Sequence, residues 1–215
     1  MTVGTSVPDR PASVPDSSAS VRDSPVSVRE GPDGLLRCWW GGSAPEYIEY
    51  HDGEWGRPLH GADALYERLC LEAFQSGLSW LTILRKRPAF RTAFDSFVIE
   101  RVAEYDDRDI DRLLADASIV RNRAKIVAAI TNARVAAELD VGLDELLWSF
   151  APTVPRSRPT GVGDLVAITS ESTAMAKDLK RRGFRFVGPT TAHALMQATG
   201  MVDDHVVDCW RATDG

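Results

Sequence analysis

The chain has little cysteine, no excess of basic charge and no long apolar run, and each shortage excludes something. Three cysteines in 215 residues are too few, and odd in number, for a disulfide framework. They fit a reducing compartment, and a cytoplasmic protein is expected. Twenty-five basic against 31 acidic residues leave a formal net charge of −6, so the broadly basic domain that usually marks nucleic-acid binding is missing. No stretch of about eighteen apolar residues occurs, which argues against a membrane span. Alternating apolar and polar residues over strand lengths are also scarce.

What is present points to one helical domain behind a polar leader. The opening residues MTVGTSVPDRPASVPDSSASVRDSPVSVREGPDG are rich in Ser, Pro, Val and Asp, with SVPD, SVRD and SVRE loosely recurring. They hold no continuous apolar core, so they do not read as a secretory signal. Such a composition buries too little apolar surface to offset its ordering entropy, and a disordered tail is expected over residues 1–34, with a folded domain over 35–215. The hydrophobic fraction of 44% suffices for a sizeable core.

Helical periodicity recurs through that domain. Residues 62–75 carry Leu65, Leu69 and Phe74 at near-helical spacing before Gly77. Residues 78–86 form a second helical stretch, expected to stop before Pro88. Residues 107–116 place Ile110, Leu113 and Leu114 on one face, and a short connection over 117–122 leads to a helix over 123–139. Residues 143–150 are short, PTVPRSRPTG is a loop, residues 173–182 precede Gly183, a natural helix stop, and Pro189 suits the first turn of a last helix ending before Gly200. The expected fold class is all-α.

Two groups of residues carry chemistry. Cys38 and His51 near one end, and His205 and Cys209 near the other, supply two thiolates and two imidazoles, the donor set of a closed tetrahedral zinc site. The bland reading stays open: Cys38 as a small buried hydrophobe, and the last pair sharing a helix face by accident. The second group is aromatic. Trp39, Trp40, Tyr47, Tyr50 and Trp55 fall within seventeen residues, and Trp80 follows in SGLSW. Interleaved with His51 and Glu54, they suggest a lined pocket suited to a flat, electron-poor or cationic ligand. Glu72 lies among apolar residues in CLEAFQ, where a carboxylate is either a helix-surface group or buried and used. Arg121, Arg123 and Lys125 cluster after the short turn at Ile119, where backbone N–H groups and cations could meet a phosphate. The runs 85–87 and 180–182 are also basic. Each of the three runs is more often a solvated face than a phosphate cradle.

The segments RCWW, EYIEYHDGEWGRP, LCLEAFQSGLSWLTILRKR, KRRGFRFVGPTTAHALMQATG and VDDHVVDC, in this order, resemble the DNA-3-methyladenine glycosylase I family. The resemblance spans residues 36 to 210, and the pairing of YHDxEWG with LExxQxGLSW is highly specific. It implies a helix-hairpin-helix glycosylase fold whose ends are tied by one structural zinc ion, on Cys38, His51, His205 and Cys209. It implies hydrolytic removal of N3-methyladenine from alkylated double-stranded DNA, with Glu72 acting on the flipped base, and a monomer suits a protein that engages a single base. Trp40, Tyr47, Tyr50, Trp55 and Trp80 would line the pocket, and Arg121, Arg123 and Lys125 would meet the DNA backbone. The hairpin departs from the family pattern, with Ser118 and Ala124 where glycines are usual. Asp208 stands where glycine is common, and His193 where an aromatic is frequent. The altered hairpin keeps a second expectation in view, an inactive zinc-clasped DNA-binding module of the same fold.

Overall fold

The computed structural model describes residues 27–213. Most of the expected tail, residues 1–26, lies outside the described residues. Its last part does not behave as a tail: β1 (Val28–Glu30) pairs antiparallel with β2 (Leu36–Cys38), with Val28 opposite Cys38. Arg37 explains why this short hairpin holds. Its guanidinium is buried and binds Asp33 within the turn and Asp52 across the domain, so the hairpin is tied at both ends by charge-assisted bonds.

The remainder is helical. After β2 come α1 (Pro45–Gly53), α2 (Ala62–Gln75), α3 (Trp80–Ala93), α4 (Ile99–Ala103), α5 (Asp107–Ala115), α6 (Arg123–Ala137), α7 (Leu143–Trp148), α8 (Ser170–Arg182) and α9 (Pro189–Ala198). The core is built around α2, whose residues from Leu65 to Phe74 are buried almost without interruption. A helix apolar on nearly all sides must be surrounded, and α3, α6, α7 and α9 pack around this one. No helix among the described residues is long and apolar enough to cross a membrane.

The expected stop before Pro88 is overturned: α3 runs through that residue to Ala93. An internal proline forfeits one helical hydrogen bond and costs about 3 kcal/mol. Beyond it, however, Phe90, Ala93 and Phe94 are buried, with Phe90 and Phe94 rings 4.7 and 5.9 Å from Phe74. Burying two phenylalanines returns about 1.5–3 kcal/mol each, enough to carry the helix onward. The last helices are fixed by their caps. Thr169 and Ser172 form a capping box that starts α8 three residues earlier than expected. At the other end Gly183, with φ of 106°, turns the chain while Phe184 N–H bonds the Leu179 carbonyl, a left-handed helix stop.

One close approach joins the two halves of the chain. Gly56 and Leu59 N–H groups bond the carbonyls of Gln197 and Thr199, and at Gly200, where φ is 72°, a Cβ would lie 2.4 Å from the Arg57 carbonyl carbon. Gly200→Ala is therefore expected to lower the unfolding free energy by about 2 kcal/mol or more in denaturant titration; an unchanged midpoint would contradict this contact.

Candidate functional site

A cavity of about 450 Å³ opens beside α1 and α2, lined by Trp39, Trp40, Tyr47, Tyr50, Trp55, Glu72 and Trp80 among others. Helix α1, which the sequence reading passed over, places Tyr47, Tyr50 and His51 within little more than one turn. Trp40 is the hub of the wall. Its ring meets Tyr47 at 5.6 Å, Trp55 at 5.0 Å and Tyr50 at 6.1 Å, and Tyr50 continues to Trp80 at 5.4 Å. The edge-on and tilted arrangements are those that aromatic quadrupoles favour. Tyr47 does more than line the wall, because its hydroxyl oxygen accepts the Leu81 N–H at the start of α3. All five aromatic residues expected at the pocket are brought together there.

Polar groups are few and specific. Glu72 is buried, and burial pushes its carboxyl up to about 7, with the nearby Arg68 charge pulling the other way. The Trp80 indole N–H is buried without a partner. Trp39, named with the other clustered aromatics, also lines the cavity, whereas reading the sequence missed Gln75, Gln197 and Asp204. Gln75 could have been found, since it lies one helical turn beyond Glu72 on the same face. Asp204 could not, because its place depends on the fold of the last segment. There it accepts from Gln197 at 2.7 Å and faces the buried His193 at 3.4 Å.

The four residues expected to bind metal also converge. The ligand atoms of Cys38, His51, His205 and Cys209 all lie within 4.8 Å of one another, and all four residues are buried. Cys38 Sγ lies 3.7 Å from His205 Nδ1, and Cys209 Sγ lies 3.5 Å from His51 Nε2 and 3.6 Å from His205 Nδ1. Bonds of 2.0–2.3 Å to a tetrahedral ion would set ligand atoms about 3.3–3.8 Å apart, so the cluster could hold a metal ion. The imidazoles are oriented for it. His51 Nδ1–H donates to Asp52 at 2.8 Å, and His205 Nε2–H points at the Trp55 carbonyl at 3.4 Å, which turns the other nitrogen of each ring inward. Burial pushes the Asp52 carboxyl up, but bonds from Arg37 and His51 outweigh it, so this orienting group is held as a carboxylate. Without a cation the two thiols oppose joint ionisation, and Cys38 is pushed well up by its bond to Cys209 and by burial. Two thiolates in one buried site call for a positive ion between them. Trp55 stands 4.6 Å from His205, and Trp40 stands 5.2 Å from His51, so the aromatic wall and the metal cluster share a boundary.

Residues 40–212 match the signature of the methyladenine glycosylases. The chain belongs to the methyladenine glycosylase family. It is 43% identical to DNA-3-methyladenine glycosylase 1 of Escherichia coli over 81% of this chain and 96% of that protein. It is 40% identical to the DNA-3-methyladenine glycosylase of Haemophilus influenzae, over 80% and 96% respectively. The solved 3-methyladenine DNA glycosylase I of Staphylococcus aureus superposes with a TM-score of 0.78 at 36% identity, covering 83% of this chain and 97% of that one. Membership of this enzyme family agrees with the fold expected from the sequence.

The hairpin between α5 and α6 is built without its usual glycines. Neither Ser118 nor Ala124 is among the residues with positive φ, so neither position demands glycine for backbone conformation. Asp116 accepts from the Ser118 N–H and hydroxyl, and Asn122 accepts from the Lys125 N–H to start α6. Of the three backbone-contact candidates, Arg121 and Arg123 are exposed at this end. Lys125 is not, and that expectation is corrected. Its side chain is buried, and Nζ donates to the carbonyls of Phe74 at 2.9 Å and Ser76 at 2.5 Å, closing the C-terminal end of α2. A cation belongs at that end of a helix dipole. The other basic runs are also engaged: Arg85 pairs with Glu46, Arg87 with Glu54, and Arg181 and Arg182 with Asp178. Lys125→Gln should lower stability by about 1–3 kcal/mol and leave the affinity for duplex DNA unchanged. Arg123→Ala should do the reverse, weakening binding to all sequences alike. Thermal unfolding and fluorescence anisotropy on the same pair of variants separate the two roles, and equal loss of DNA binding in both would restore Lys125 to the interface.

Proposed function

We propose that the protein is a DNA repair glycosylase that flips N3-methyladenine out of alkylated double-stranded DNA and releases it by hydrolysis of the N-glycosidic bond, with no lyase step. The observation that carries this reading is a buried carboxylate, Glu72, in a cavity whose wall includes six indole and phenol rings. The activity named for the Escherichia coli and Haemophilus influenzae relatives supports the same substrate.

The chemistry asks little of the protein beyond binding and charge. Methylation at N3 leaves the adenine cationic. The bond from C1′ to N9 breaks with both electrons passing to the ring, which leaves neutral. A water oxygen then bonds C1′ and gives up its proton to solvent. Since the base departs without being protonated, no strong general acid is needed. Extracting the nucleotide costs a few kcal/mol of lost stacking. Stacking on aromatic side chains returns about 1–3 kcal/mol per base, and the ring faces of Tyr50, Trp80, Trp40, Tyr47 and Trp55 favour a cation. Glu72 accepts hydrogen bonds from the base edge and stabilises positive charge as it spreads onto the sugar. The cavity lining includes no lysine, in keeping with water rather than an amine as nucleophile. Arg121 and Arg123 meet phosphates flanking the lesion.

The Cys38, His51, His205 and Cys209 cluster holds one zinc ion in a structural role. Four protein ligands leave no coordination position for substrate, and what the ion supplies is closure of the fold. The protein acts as a monomer in a reducing cytoplasm, where both thiolates stay available.

Methylated DNA incubated with the zinc-loaded protein, with freed bases separated and identified, should yield N3-methyladenine and leave the strand unbroken. Glu72→Gln should slow release about 100-fold. Strand cleavage by the enzyme alone would contradict hydrolysis, and no release by folded, metal-loaded wild type would favour the inactive binding module instead.

A further inference from the structure

Helix α2 carries two buried charges one turn apart, Arg68 and Glu72. Arg68 reaches toward α1. Its Nη2 donates to Glu54 at 2.8 Å, its guanidinium lies 5.4 Å from the Tyr50 ring centre, and its Nη1 is buried without a hydrogen-bond partner. Glu54 is already matched by another cation, since Arg87 gives its two oxygens a pair of 2.6 Å bonds. Two guanidinium groups therefore share one carboxylate. An unmatched buried cation is strongly unfavourable, and the cluster of Arg68, Arg87, Glu54 and Glu72 is neutral only when Glu72 is ionised.

The surroundings of Glu72 offer no other source of that balance. No donor among the described residues hydrogen-bonds its carboxylate. The titratable and charged groups on neighbouring elements include Tyr50 on α1, Glu54 just beyond it, Arg87 on α3, Lys125 on α6, Asp144 and Glu145 on α7, His193 on α9 and Asp204 across the cavity. Lys125 is held by the Phe74 and Ser76 carbonyls, and His193 faces Asp204. Among these groups the charge that draws the Glu72 carboxyl toward ionisation is Arg68.

We infer that Arg68 is a positioning residue for base recognition: its unmatched charge favours the anionic form of Glu72 inside the cavity, ready to accept from a cationic base. Arg68 does not touch the base. The Tyr50 ring lies against its guanidinium and against Trp80 in the cavity wall, so the base meets the anion while an aromatic ring separates it from the cation. The inference rests on the reading of Glu72 as the acceptor.

The test is single-turnover release of N3-methyladenine across about pH 5 to 9 by wild type, Arg68→Gln, Arg68→Lys, Glu54→Gln and Glu72→Gln. Since Glu72 works as the anion, activity is present at high pH and lost as pH falls. Arg68→Gln should move this acid limb upward by about one pH unit or more, about tenfold in rate on the acid side, and recover at the alkaline end. Arg68→Lys should bring the limb back toward wild type. Glu54→Gln removes a competing anion and should move the limb down. A ¹³C NMR titration of the Glu72 side-chain carboxyl should report the same displacements in the absence of substrate. A limb absent in Glu72→Gln but unmoved in the Arg68 and Glu54 variants, or a loss in Arg68→Gln that is equal at every pH, would overturn the role of Arg68 alone. A limb that persists in Glu72→Gln would remove the Glu72 reading and this one together.

Discussion

Convergence of Cys38, His51, His205 and Cys209 is the constraint on which the rest of the site depends, because it joins segments at the two ends of the described chain. Cys38 ends the hairpin, His51 sits on α1, and the last two ligands lie in a segment with little regular structure of its own. Loop segments of that kind hold one conformation only when something over-determines it. Here the cluster does so with help from Gly200, whose lack of a side chain admits the backbone of residues 57–58. The aromatic cavity inherits its shape from this closure. Trp40 and Trp55 each touch a ligand imidazole on one side and the cavity on the other.

Charge is arranged around the cavity in two tiers. Lining the ligand space are aromatic rings, Glu72 without a hydrogen bond from the described residues, and Asp204 held by Gln197. Behind them lie Arg68, Arg87 and Glu54, buried or half-buried and mutually bonded. A site built this way presents a carboxylate to a flat cation among low-polarity rings, where electrostatic effects are stronger than in water. On the proposed function, an overall charge of −6 is compatible with a DNA substrate: recognition is concentrated on one base, and the exposed Arg121 and Arg123 are proposed to meet the backbone.

Much of this was legible in the sequence because it is periodic or chemically rare. Helices α2 and α6 follow from their apolar spacing, α9 from Pro189 and Gly200, and the convergence of Cys38, His51, His205 and Cys209, which could hold a metal ion, from scarce cysteines and histidines. What was not legible depended on competition or phase. Pro88 alone predicts a stop, and only the burial of Phe90 and Phe94 outweighs it. Helix α1 has few aliphatic residues because its tyrosines and histidine face the site, so no periodic signal marks it. Thr169 and Ser172 start α8 within a polar run that offers no apolar rhythm. Lys125 read as a partner of Arg121 and Arg123 by proximity, whereas the Asn122 cap sets a phase that aligns it with the buried Ala128, Ala129 and Asn132. Capping, rather than composition, decided which cation faced inward.

The central claim is that closure of the metal cluster holds the base-binding wall in place, and tryptophan fluorescence during titration with free 3-methyladenine tests it most directly. The metal-loaded protein should show saturable quenching. Removing the metal with a chelator should abolish that response while far-ultraviolet circular dichroism still reports the α2-centred helical core. Undiminished base binding by the metal-free, folded protein would contradict the claim and leave the cluster as a stabiliser unconnected to the site.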